Sequence, residues 1–333
     1  MKLFLLCVQL PMCGLVFLSA MAKGEQESVK QGQESFRLEA IFAIDQLLGQ
    51  MDRAEELYPD LRQGIETTKS QFETNALNEG RKAFVSKLET SNPTAWKDYL
   101  AQTEKTLESG KHAAMTLEEA RTRWGQLHQM IQHKPCIPAN TRGEVSVQGA
   151  LLASNPRYIA NPLLEFDEGW TLPYAIPVST ESNLVLHIPA SWMSTGGGKS
   201  TGYFVSDLGF GMTSIGILSL QAPASSGPPF QEEETQRTLP PGTMITNTAL
   251  GKLAGLPAQI IKFKGLAGNG YLVMAIKYTF RVNSNLVAVT FLVNGTSPNW
   301  EELEALQKKY EPLFNAIAAK ATLGSSEMEK KKD

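Results

Sequence analysis

The run YLVMAIKYTFRV, residues 271–282, constrains this chain more than any other stretch. In an extended strand successive side chains point to opposite faces. Leu272, Met274, Ile276, Tyr278, Phe280 and Val282 therefore share one face, and Lys277, Thr279 and Arg281 share the other. Asn283-Ser284-Asn285 supplies turn chemistry, and Leu286–Val293 is again apolar and rich in valine, so a hairpin is predicted over 271–293. A hairpin with a wholly apolar face needs cover before it is stable in water. The following helix, opened at Ser297-Pro298 and carrying Leu303, Leu306, Tyr310, Leu313 and Ile317, is expected to supply it. Pro312 is expected to kink or interrupt that helix, because proline has no N–H to give the ladder.

Upstream of the hairpin the texture stays β-rich back to Val145, between Gly, Pro, Ser and Asn. Leu184–Ile188, ended by Pro189, is a candidate strand, as are Tyr203–Val205 and Thr213–Leu220. Before Val145 the period changes. Phe36, Ala40, Ile44, Leu47, Leu48 and Met51 return to one face at three- and four-residue steps, which predicts a helix. Pro59 suits the first turn of a second, carrying Leu61, Ile65, Phe72, Phe84 and Leu88, with Gly80 a weak point. Asn92 or Ser91 caps a third, opened by Pro93, lined by Trp96, Leu100 and Leu107 and closed by Gly110. Thr116-Leu117-Glu118-Glu119 is a capping box opening a fourth through Ala120, Trp124, Leu127 and Ile131.

The fold class is α+β: an N-terminal helical hairpin or bundle over 36–134, after a polar lead at 23–35, then an antiparallel-sheet domain over 145–323 covered by helices. Residues 324–333 hold no core-forming side chains and read as a disordered tail. APASSGPPFQEEETQRTLPPG, residues 222–242, is a long proline-rich loop with an acidic run at Glu232–Glu234.

The N-terminus points to export. Lys2 precedes an apolar run from Leu3 to Leu18, and Ala20 and Ala22 hold the small-residue positions of a cleavage site, so residues 1–22 read as a signal peptide. A retained anchor is the alternative, and Leu10-Pro11-Met12-Cys13 only loosely follows a lipobox. Cys7 and Cys13 leave with the signal, so Cys136 has no partner for an internal disulfide. A net charge of −3 gives no electrostatic case for nucleic acid, and aromatics are not interleaved with Lys or Arg.

Several stretches invite a chemical reading. Ser194–Val205, STGGGKSTGYFV, ends its glycine run in Gly-Lys-Ser, yet a phosphate loop needs glycine where Met193 stands and a helix where Tyr203–Val205 reads as strand. Gly196–Gly198 read instead as a flexible connection. Gly211-Met-Thr-Ser214-Ile-Gly216 is one residue too long for a nucleophile elbow, and His187 alternates within a strand, so no serine hydrolase is expected from that pair. His128 and His133 do not share a helix face, and His112 is remote, so no metal site is expected from them. Glu165, Asp167 and Glu168 in LEFDEGW could hold a hard cation but read first as a solvated turn before Trp170. Asn294-Gly295-Thr296 is a glycosylation sequon in turn context. No catalytic, cofactor-binding or metal-ligating residue is assigned.

LVLHIPASW (Leu184–Trp192) resembles the opening of PsbP-like domains, the fold shared by the photosystem extrinsic protein and the Ran-binding Mog proteins. The resemblance continues through GKLAGLPAQIIKF (Gly251–Phe263), the hairpin at Tyr271–Val293 and the helix from Trp300 to Ala318. It implies an α/β/α sandwich, and a binding, assembly or accessory role rather than catalysis; some extrinsic members interact with metal clusters. The helical half lies outside the resemblance. The functional expectation is an exported interaction or assembly protein of the cell envelope. It would bind a protein partner, or itself, through the helical region, use neither nucleotide nor nucleic acid, and touch the membrane only through an uncleaved signal. A small-ligand or lipid carrier is the alternative, and an unrecognised hydrolase a third.

Overall fold

The computed structural model describes residues 23–111, 114–132, 142–196, 201–209, 211–221, 239, 242–266, 272–295 and 299–325. Residues 1–22, Cys136, His112, His133, Thr296, the acidic run and residues 326–333 lie outside them. The chain forms two compact units. One holds residues 28–171 with 189–191; the other holds 23–27, 172–188 and the described residues from Trp192 onward.

In the first unit, helix α1 (Lys23–Leu57) takes in the polar lead, and its stripe Ala40, Ile41, Ile44, Leu47, Met51 and Ala54 is buried. A short turn at Pro59–Leu61 leads into α2 (Arg62–Glu73), α3 (Ala76–Ser91), α4 (Pro93–Lys111) and α5 (Leu117–Ile131). The sequence suggests one helix from Pro59 to Leu88; the structure divides it at Asn75. There the side chain accepts the Leu77 N–H at 3.0 Å, a local hydrogen bond that favours a helix start over a helix interior. Thr116 and Glu119 form the expected capping box on α5.

Residues 142–167 are helical, not β-rich: α6 (Arg142–Ala153), α7 (Pro156–Ala160) and α8 (Leu163–Asp167). Ala150, Leu151 and Leu152 are buried, and Gln148 donates its amide to the Met130 carbonyl at 2.9 Å. Tertiary packing outweighs the strand propensity of Val145 and Val147. Gly80 proves to be a contact and not a weak point. A Cβ there would lie 1.8 Å from the Leu151 carbonyl oxygen, so α3 and α6 meet only because residue 80 lacks one.

The second unit contains two sheets. β1 (Thr171–Pro177), β2 (Ser182–Pro189) and β10 (Thr322–Ser325) form a three-stranded sheet. The seven-stranded sheet runs β3-β4-β5-β9-β8-β7-β6, antiparallel throughout: β3 (Met193–Gly196), β4 (Thr201–Val205), β5 (Thr213–Gln221), β6 (Met244–Leu253), β7 (Leu256–Leu266), β8 (Leu272–Val282) and β9 (Asn285–Gly295). The predicted hairpin is β8–β9, turning at Asn283, whose φ is 53°. β6 and β7 form a second hairpin across Ala254 (φ 50°) and Gly255 (φ 80°). β10 extends two residues into the sequence read as a tail, since Gly324 and Ser325 pair with Asn183 and Ser182 through backbone alone.

Helix α9 (Trp300–Lys320) packs on β8 and β9 as expected, but starts from Asn299, whose side chain accepts the Glu301 N–H. It is one continuous helix with Pro312 inside. The residues beside the proline carry the packing. Leu313, Phe314 and Ile317 are buried, and Phe314 sits 5.0 Å from Phe291 and 6.1 Å from Tyr310 between ring centroids. Such burial, about 1.5–3 kcal/mol per large side chain, offsets the one hydrogen bond that Pro312 cannot donate.

Candidate functional site

The first unit buries several carboxylates. Asp45 interrupts the apolar stripe of α1, and its Oδ1 accepts from Arg81 at 2.7 Å while its Oδ2 accepts from the Tyr99 hydroxyl. Burial, then the Asp45 carboxylate, raises the Tyr99 phenol well above its ordinary range. Glu165, on α8, is 3% exposed and accepts both the Ser191 N–H at 2.8 Å and the Ser191 hydroxyl at 2.6 Å. Burial pushes its pKa up to about 7 against these hydrogen bonds. Glu168 accepts from Arg157 and from the Tyr158 hydroxyl, each at 2.5 Å. Of the solvated turn expected at LEFDEGW, Asp167 is exposed, Glu168 is a half-buried carboxylate paired with Arg157, and Glu165 is a buried anchor. Burial makes the difference at Glu165, because an isolated carboxylate out of water is costly.

These pairs join elements of the unit; a concave surface lies elsewhere in it. Ala43, Ile44, Gln46, Leu47 and Gln50 of α1, Arg123, Gln126, Gln129 and Met130 of α5, and Val147 of α6 line a groove of about 430 Å³. Ile44, Leu47 and Met130 are its buried apolar members, and its polar members are four glutamines and one arginine. Amides offer donors and acceptors at any pH between the extremes but neither move protons nor attack carbon. That chemistry suits docking of a peptide or helix surface more than turnover.

In the second unit the conspicuous group is Lys277. On β8 it lies between Ile261 of β7 and Thr290 of β9, in a row that continues to Gly216 of β5 and Tyr203 of β4. This face is not the polar exterior that its alternation suggests: Val273, Ala275 and Thr279 are 3%, 1% and 4% exposed. Val273 and Ala275 belong to an apolar cluster with Leu239, Ile261, Phe263 and Leu292. Burial lowers the Lys277 pKa to about 8, and among the described residues no side chain forms an ion pair or hydrogen bond with it. Ser214 is buried on the same face next to the Tyr203 phenol.

The residues singled out from sequence do not converge. Ser214 sits on β5 of the large sheet and His187 on β2 of the small one. Burial and the Lys320 charge lower the His187 pKa. His128 pairs with Gln132 along α5 at 2.6 Å. Ser194–Gly196 end β3 and Thr201–Val205 form β4, so strand and not helix follows the Gly-Lys-Ser stretch; residues 197–200 lie outside the described residues. Asn294 is in β9, its N–H donated to the Met212 carbonyl. Among the described residues no group of three or more His, Cys, Asp or Glu could hold a metal. No described helix is long and apolar enough to cross a membrane. Lys277 and Asp45 went unassigned in the sequence. A charge inside an apolar stripe is the signal for Asp45; Lys277 gives none, since Lys277, Thr279 and Arg281 at alternate positions are also what an exposed face looks like.

No family model matches the sequence, and no curated protein does. Solved structures do. Cyanobacterial PsbP from Synechocystis matches 42% of this chain and 86% of its own, with 9% identity and a TM-score of 0.30. The Ran-binding protein Mog1p of Saccharomyces cerevisiae matches 45% of this chain and 95% of its own, with 11% identity and a TM-score of 0.31. LpqN of Mycobacterium tuberculosis, involved in cell envelope biogenesis, matches 47% and 93%, with 11% identity and a TM-score of 0.28. PsbP- and Mog-type folds, the group that the sequence resembles, are thus among the structural neighbours. They carry no functional residue to this chain.

Proposed function

We propose that this chain is an exported, non-catalytic interaction protein of the cell envelope, an assembly or accessory factor whose helical unit docks a protein partner. The groove between α1, α5 and α6 carries the reading: apolar Ile44, Leu47, Met130 and Val147 lie in it beside Gln46, Gln50, Gln126, Gln129 and Arg123. Export rests on the signal-like residues 1–22. A photo-crosslinking residue at Gln50, in cells that make the protein, is expected to give a discrete adduct to one partner, and charge introduced as Gln126→Glu is expected to diminish it. Cells in which Gln50 yields no adduct above a probe on the exposed face of α2 count against the reading.

A carrier for a small anionic ligand is the second reading, favoured by Lys277, a partly buried cation with no described counter-charge. Native mass spectrometry of protein purified from its host distinguishes the two, since a carrier leaves the cell with mass in excess of its chain.

A further inference from the structure

The two edges of the seven-stranded sheet are unlike. β3 is four residues long, which leaves little backbone to pair. β6 runs ten residues, Met244–Leu253, and among the described strands pairs only with β7. Its side chains are exposed along nearly the whole length, with Met244 at 60% and Leu250 at 79%. An edge presents a row of unpaired N–H and C=O groups, and proteins usually blunt it with charge, proline or a strong twist. β6 has no proline and a single charge, Lys252, and its one irregularity lies at Ile245–Asn247, near the start. Residues 247–251, Asn-Thr-Ala-Leu-Gly, are flat, uncharged and open.

We propose that β6 pairs antiparallel with β6 of a second copy of this chain, joining two seven-stranded sheets across a two-fold axis. The charge pattern selects this occupant. With the axis through Ala249, Thr248 meets Leu250 and Asn247 meets Gly251, each pair on one face of the joined sheet. The two Lys252 side chains then fall at opposite ends, about 20 Å apart at the rise of an antiparallel strand, beyond the Debye length at physiological salt. The isologous ladder then pairs residues 247–251 of both copies and covers Leu250 in each. The site is distinct from the helical groove, so either can fail alone.

Sedimentation velocity on the purified full chain, over about 1–100 μM, tests it. A concentration-dependent monomer–dimer equilibrium is expected. The double variant Ala249→Lys/Leu250→Lys places lysines of both copies side by side at the axis and is expected to weaken dimerisation at least about tenfold with unchanged circular dichroism. Hydrogen exchange of wild-type amides 247–251 should slow as concentration rises, a readout that does not depend on the variant folding. A monomer throughout the range overturns the proposal, including one that captures some other strand. So does a dimer that the double variant leaves intact, or one formed without added protection at 247–251.

Discussion

The helical and sheet units treat buried charge in opposite ways. The helical unit gives each buried carboxylate its own donors: Arg81 and Tyr99 on Asp45, the Ser191 backbone and hydroxyl on Glu165. The sheet unit leaves Lys277 half-buried among apolar and hydroxyl side chains with no described counter-charge. Its surface pairs, Lys262–Glu311 at 2.5 Å and Lys264–Glu304 at 3.6 Å, lie on the opposite face, toward α9. The difference teaches which groups are structural. A paired buried charge stabilises its neighbours and is expensive to halve, whereas an unpaired one costs stability and persists for some other reason.

The largest expected effect comes from halving a pair. Asp45→Ala leaves Arg81 and the Tyr99 hydroxyl without their acceptor, and should destabilise the protein by about 2–4 kcal/mol in urea unfolding. A loss under 1 kcal/mol, roughly a surface value, would erase the contrast between the units.

Glu165→Gln sharpens it through pH. Folding raises this carboxyl to about 7 from an ordinary value of 4.5, so the folded state binds the proton more tightly. The stabilising contribution is full below about 4.5 and is lost as pH rises through about 7, by an amount on the order of 3 kcal/mol. Gln keeps a carbonyl acceptor for the Ser191 N–H and cannot ionise, so the variant's stability should stay flat over that window. Equal slopes for wild type and variant would show that Glu165 is not the group responsible.

Lys277→Met should move stability the other way, raising it by about 1–2 kcal/mol at neutral pH, because a depressed cation is replaced by an apolar chain of similar length. The folded pKa of about 8 lies below the ordinary 10.5, so wild-type stability recovers as pH rises through that interval and the variant's advantage shrinks. A destabilised variant would mean that Lys277 is paired after all. Smallest is Thr116→Ala, which removes the α5 cap at the surface, for about 1 kcal/mol with little pH dependence near neutrality.

Local chemistry was legible wherever the neighbours in sequence are also the neighbours in space. The β8–β9 hairpin, the Thr116–Glu119 box and the strand after Gly-Lys-Ser are of this kind. Pro312 and Val145–Ala153 were not legible. The burial of Leu313, Phe314 and Ile317 outweighs a broken helical hydrogen bond, and the close approach at Gly80 outweighs the strand preference of valine. The candidate sites depended wholly on such distant contacts: the groove draws on three helices, and the setting of Lys277 on four strands.

By itself the sequence determined where helical period gives way to strand alternation at the hairpin, and which helix covers it. Only the tertiary structure decided that both faces of β8 are buried, that Glu165 is an anchor, and that β6 is left as the long open edge. The reason is that period and capping are fixed by covalent neighbours, whereas burial and pairing depend on residues tens of positions away whose packing no single stretch encodes.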